Sequence, residues 1–447
     1  MHSLLVRVIL AIFLLKFSDC EEISFKNVTL VEWESTARIA VAASDNLKKN
    51  IVSKDEVSVQ VEGVVPILYE KSVFDIPNLR YLTLSSVGLE EIKSGAFGNL
   101  PLLNHLDLSW NKLTEIESGT FSHLHLSHIY LESNSIRILH SGAFKNMTIR
   151  DLHLAKNELT EFPTGVFENV SITNLFLEFN HLRTISPNSL STISVKSLRF
   201  SSNNLEKIDP EAFNIRTLVS LDLNFNSIKH LQPGDLKNLP ELDELNLVEN
   251  RLEEIPEGVF NNTKITYLTL AYNRIGEIAT KALDDMPYLK TFDIGHNKLT
   301  HWDSNWLGGT SQPAYVKADS NQLSDLPDEA FKNYPRLTLL DLRGNKITKI
   351  SAKALRKLDK VGNFLLCCNE IDSWGSDSLG NVSIGNFDLS KNKLKCIDGD
   401  LDKVFGNVVD LVHLYGNPWD EGCILKIEHF TKMKIHSLRA KLNPSFQ

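Results

Sequence analysis

Five cysteines in 447 residues are too few for a scaffold held together by disulfides. Basic side chains are also in the minority, 47 against 56 acidic, giving a formal charge of −9. That balance lacks the positive excess that phosphate contacts need, which argues against a nucleic-acid partner. Beyond the first twenty residues no run of about 18 apolar residues occurs, so no membrane span is expected. GxSxG, HExxH, a phosphate loop and paired CxxC spacing are all missing. No residue therefore stands out for catalysis, and neither enzyme activity nor a cofactor is expected. What remains is an ordinary globular composition, 42% hydrophobic and 23% charged, with ample material for a core.

Residues 1–20 have the pattern of a secretory signal peptide. Arg7 lies near the start, Leu4 to Leu15 are otherwise apolar, and Ser18 and Cys20 are small enough for a cleavage site. Asn-x-Ser/Thr triplets follow at Asn27, Asn146, Asn169, Asn261 and Asn381. With an export signal ahead of them they are candidate glycan acceptors. The expectation is a secreted, extracellular glycoprotein whose basic C-terminal stretch is unlike a lipid-anchor signal.

Internal repetition decides the architecture. LLNHLDLSWNKLTEI returns in outline as LDELNLVENRLEEI, ITYLTLAYNRIGEI and LTLLDLRGNKITKI. The shared template is LxxLxLxxNxLxxI followed by a looser xxxAFxxL half. Its asparagine occurs fourteen times, from Asn111 to Asn417, mostly 23 or 24 residues apart, and Val87 fills the slot one turn earlier. An irregular further turn, EVSVQVEGVVPI, would place Val64 in the same slot. Alternating apolar residues form a short strand with one face inward, and a buried asparagine satisfies backbone groups where the chain turns. Phe97, Phe121, Phe144, Phe167, Phe213, Phe260 and Phe331 would fill the opposite side. Since no single turn buries its apolar face, the turns must stack.

By these residues the chain resembles extracellular leucine-rich repeat proteins of the 24-residue type, over about residues 57–420. The resemblance takes in Toll receptor ectodomains, the acid-labile subunit and secreted insect leucine-rich-repeat immune proteins. It implies an α/β solenoid: a right-handed leucine-rich repeat horseshoe of about 15–16 turns, with a parallel concave sheet and an irregular or short-helical convex side. The expected divisions are signal peptide 1–20, N-terminal cap 21–56, solenoid 57–417, and abbreviated C-terminal cap and tail 418–447. Many relatives close the N-terminal cap with a disulfide, but residues 21–56 contain no cysteine. A strand or hairpin is expected there instead, with Ile23, Phe25, Val28, Leu30 and Trp33 covering the first turn. LYGNPWDEGCILKIEHF resembles the start of the family's C-terminal cap, although only Cys423 is present where the family has more.

Four cysteines remain after signal removal: Cys367, Cys368, Cys396 and Cys423. They permit three pairings. Cys396–Cys423 is the preferred bond, tying the last turns to the cap. Cys367 and Cys368 precede Asn369, and a local bond, a vicinal pair and an intermolecular bond all remain open for them. The chain lacks the heptads of the long insect immune proteins, so coiled-coil pairing is not expected; a disulfide-linked or non-covalent oligomer stays open.

The variable strand positions give the candidate partner surface on the concave side: Tyr81, His105, Trp110, His128, Tyr130, His153, Phe176, Phe179 and Phe225, with Tyr267, Tyr272 and Tyr315 further on. Exposed aromatics bury large area at small rotamer cost. His105, His128 and Asp151 share one template position in successive turns. No metal is expected, but this trio is the candidate ligand set should one bind, and an acid-sensitive contact is the alternative. The resemblance implies recognition of an extracellular protein or microbial surface, in innate immunity or extracellular signalling. An adhesive matrix protein resembling small leucine-rich proteoglycans, or an inhibitor wrapping an extracellular enzyme, are the other readings.

Overall fold

The computed structural model describes residues 23–32, 38–51, 57–122, 124–187, 189–209, 212–236, 239–284, 286–306, 314–433 and 439–441. The proposed signal peptide and Trp33 lie outside them. The chain divides into two compact units, 1–181 and 182–447, each a run of the same coil. Among the described residues no helix is long and apolar enough to cross a membrane.

The first unit opens with strand β1 (Phe25–Glu32), which pairs antiparallel with β2 (Arg38–Ser44) and with β3 (Val57–Glu62). Phe25, Val28 and Leu30 are buried, so this hairpin shields the first turn with apolar side chains. Strand β3 is where the pattern changes. It pairs antiparallel with β1 on one edge and parallel with β4 (Leu79–Thr83) on the other. From there parallel strands add one per turn: β5 (His105–Asp107), β6 (His128–Tyr130), β7 (Thr148–His153) and β8 (Val170–Phe176). Val64 does not occupy an asparagine slot. It is 68% exposed, and Val65 is buried in its place. Gly63, at φ +124°, turns the chain just before it, so the first turn leaves the template register.

One residue type holds successive turns together. Thirteen of the fourteen template asparagines are buried, and Asn417, in the last turn, is half-buried. Each amide works in the same way. Asn157 donates through Nδ2 to Leu154 O in its own turn at 3.1 Å and to Leu131 O in the preceding turn at 2.9 Å. Its Oδ1 accepts from Ile136 N at 3.0 Å. Carbonyls and N–H groups that the coil buries are thereby paired from turn to turn, as buried polar groups must be. The residue before each asparagine adopts a left-handed conformation, including Trp110 (φ 57°), Phe179 (φ 56°) and Phe225 (φ 51°). Gly344 and Gly416 occupy that same slot.

On the far side of the first unit, Phe97, Phe121, Phe144 and Phe167 form a spine, with ring centroids 5.4 Å apart from Phe121 to Phe144 and again from Phe144 to Phe167. The second unit likewise buries Phe213, Phe260 and Phe331, and one of its turns adds two indoles. Trp302 packs 5.3 Å from both Trp306 and Phe331, and the two indole N–H groups donate to Ala330 O and Ile278 O.

The second unit ends in helix α1 (Glu421–Met433) and a last strand, Arg439–Lys441, parallel to Val408–His413. Residues Arg439–Lys441 therefore extend the sheet by one strand. Ile427 and Phe430 on α1 are buried, Phe430 lying 6.0 Å from Phe405. Cys396 and Cys423 are bonded, and Lys426 donates to Ile397 O, so the start of α1 is fastened to the preceding turn. Cys367 and Cys368 are both free thiols, the first buried and the second exposed. Burial, with the neighbouring Cys368 thiol and Asp388, pushes the Cys367 thiol up to about 11.

Candidate functional site

Strand alternation in β4 to β8 sends every second side chain to solvent, and parallel pairing sets those side chains in columns. One column runs Tyr81, His105, His128, Asp151, Asn174; the next runs Thr83, Asp107, Tyr130, His153, Phe176. Neighbouring strands are close enough that the rings stack. Centroids lie 4.6 Å apart from Tyr81 to His105, 4.0 Å from His105 to His128, 4.7 Å from Tyr130 to His153 and 4.2 Å from His153 to Phe176. The result is two parallel ladders of rings on one face of the first unit.

Asp151 ends the first ladder. Its Oδ2 lies 3.1 Å from His128 Nε2, and its Oδ1 accepts from Asn174 Nδ2 at 2.6 Å. His105 and His128 are stacked at an interplanar angle of 19°, so their nitrogens run side by side and do not converge on one point. Among the described residues no group of three or more His, Cys, Asp or Glu side chains is placed to hold a metal ion. For His105, His128 and Asp151 the arrangement is a ring stack capped by a carboxylate. Burial, together with the neighbouring His128, holds the His105 imidazole below its usual value, and Asp151 opposes this. His105 Nδ1 and His128 Nδ1 are buried without a hydrogen-bond partner.

Trp110 and Phe179 require a correction. The sequence reading treats them as strand positions, but both lie beyond the strands, in the left-handed turn before Asn111 and Asn180. They are 63% and 56% exposed and border the ring face at its strand-exit edge. Phe225 has the same conformation but belongs to the second unit. The slot was legible from Gly344 and Gly416, since glycine takes φ > 0 without steric cost.

Other polar side chains of the strands and turns have local roles. Asp107 Oδ1 accepts from the N–H and hydroxyl of Ser109, and Asp388 does the same with Ser390, so the recurrent strand aspartate caps the turn. Glu132 Oε2 is buried with no partner. Burial and the nearby Asp107 raise the Glu132 carboxyl above its usual value, against a hydrogen bond from its own backbone N–H and the pull of Lys156. In the second unit Tyr272 stacks on His296 at 3.9 Å, and His296 Nε2 lies 3.4 Å from Asp319. Tyr267 and Tyr315 are exposed on strands of that unit.

The five Asn-x-Ser/Thr asparagines are all exposed. Asn146 and Asn169 sit one turn apart, joined by a side-chain hydrogen bond of 3.2 Å.

The comparisons agree with this architecture. The family model described as leucine rich repeat matches residues 77–136, 193–252, 263–312 and 316–366. The chain is a leucine-rich repeat solenoid. A leucine-rich repeat protein of Leptospira interrogans superposes with a TM-score of 0.60 at 21% identity, over 81% of this chain and 95% of that one. A chain of the Drosophila Toll–Spatzle complex gives 0.62 at 20% identity, over 82% of this chain. The solenoid spans 55% of that Drosophila chain. No curated protein matches the sequence significantly. At these identities the likeness concerns the fold, a scaffold used typically for binding.

Proposed function

We propose that this solenoid is a secreted, glycosylated recognition protein that binds an extracellular protein or a microbial surface through the ring face of its first unit. The observation that carries the reading is the pair of ring ladders, Tyr81–His105–His128 and Tyr130–His153–Phe176, laid on the sheet with Tyr81 exposed and the other five rings half-buried. Stacking fixes the rings before a partner arrives, so little rotamer entropy is lost on binding. The similar Drosophila chain belongs to a complex described as a hub in development and innate immunity. We carry that setting across as the context of this protein. No chemistry is assigned to it beyond binding.

The test is quantitative capture. Full-length protein is immobilised, its partner is recovered from extracellular fluid and identified, and affinities are compared among variants. Tyr130→Ala and His153→Ala should each weaken binding at least about 30-fold, equivalent to about 2 kcal/mol. Tyr288→Ala, an exposed aromatic of the second unit, should leave it within about threefold. Equal affinities for all three variants, with unchanged unfolding midpoints, would rule the ring face out.

A further inference from the structure

Where the two ladders meet the turn, the ring face carries two carboxylates, Asp107 and Glu132, that enter no salt bridge among the described residues, although Lys156 acts on Glu132 from the following turn. Strands β5 and β6 put Asp107 and Tyr130 side by side in register, and the next outward residue on β6's side is Glu132. Trp110 borders them, its backbone N–H donating to the Glu132 backbone carbonyl at 3.0 Å. These four residues occupy two adjacent strand exits. Neighbouring strands lie about 4.8 Å apart and alternate residues about 7 Å apart, so the four positions lie within roughly the length of one long partner side chain.

The two carboxylates differ from others nearby. Asp151 already faces His128, Asn174 and Arg150. Asp107 spends Oδ1 on Ser109, and Glu132 keeps a buried oxygen with no hydrogen-bond partner. Lys156, exposed on the following turn, is the cation that acts on Glu132. Two carboxylates beside an indole and a phenol make a seat whose chemistry favours a cation: the ring faces attract it and the carboxylates pair with it.

We propose that the occupant of this seat is an arginine or lysine side chain of a protein partner, bound against Trp110 and Tyr130 and paired with Asp107 and Glu132. This rests on the ring face being the recognition surface, and it specifies which partners that surface accepts. A basic, exposed segment binds; an acidic or uncharged one does not.

Acid weakens the seat. Glu132, faced by Asp107, Tyr130 and Lys156, takes up a proton at a higher pH than an ordinary glutamate, removing one carboxylate. On the adjoining ladder, where Tyr81, His128 and Asp151 face it, His105 becomes cationic only below its ordinary range. Both changes reduce attraction for a cation, so a basic segment held at pH 7.4 is bound more weakly as the medium is acidified.

The experiment selects displayed random 12-residue peptides on the full-length protein at pH 7.4 and elutes them at pH 5.0. The expected pool is enriched in arginine or lysine, and each selected peptide binds at least about tenfold more weakly to the isosteric double variant Asp107→Asn/Glu132→Gln and to Tyr130→Ala. Peptides that lose binding to Tyr130→Ala but carry no basic residue, or are indifferent to the carboxamide pair, overturn this inference and leave the recognition face standing. Peptides indifferent to every variant overturn both.

Discussion

Asn157→Ala is expected to lower the unfolding free energy of the first unit by about 3 kcal/mol, because it removes a buried amide and leaves one backbone donor with no other partner. Leu131 O and Leu154 O each keep a bond from a neighbouring asparagine, Asn134 and Asn180. Ile136 N is less fortunate, for it donates to Asn157 Oδ1, and truncation leaves that donor buried and unpaired. The same change at half-buried Asn417 should cost no more than about 1 kcal/mol, since water can reach the groups it leaves. Denaturant unfolding gives the totals, and amide exchange at Ile136 should quicken in the Asn157 variant. A loss under about 0.5 kcal/mol at Asn157 would mean that the asparagine ladder does not hold the turns together.

A second large effect is expected where two turns of the second unit touch through their backbones. A Cβ at Gly385 would stand 2.5 Å from Gly362 O, and one at Gly362 would stand 2.7 Å from Thr338 O. Neither glycine needs a left-handed backbone, so the constraint is space between stacked strands. Gly385→Ala forces adjacent turns apart and is expected to cost about 3 kcal/mol or to prevent that unit from folding. Gly276→Ala meets nothing within 4 Å and should stay within about 0.5 kcal/mol of the parent. Similar midpoints for the two alanine variants would contradict the close stacking of Gly362 and Gly385.

Both effects come from the same cause as the legibility of the fold. Every turn repeats one burial problem, so leucine and asparagine recur in phase and the coil can be read without coordinates. The column shared by His105, His128 and Asp151 follows from that phase alone, as the observed registers make clear. The places that escaped are those where a turn departs from its neighbours. Val64 lost its slot because Gly63 turns the chain early and Val65 takes the interior. Trp110 and Phe179 were misplaced because bulky side chains are unusual at φ > 0, and the repeat enforces that geometry there regardless. Contacts between rings, the orphaned Glu132 oxygen and the His296–Asp319 pair depend on side-chain direction, which spacing does not encode.

The most direct measurement for the account is hydroxyl-radical footprinting of the full-length protein, alone and saturated with its captured partner. Recognition through the ladders predicts strong protection of Tyr81, Tyr130, His153 and Phe176, with exposed Tyr288 and Val409 of the second unit oxidised at unchanged rates. Protection confined to the second unit, or to the phenylalanine-spine side of the first, with those four residues oxidised as in the free protein, would contradict it.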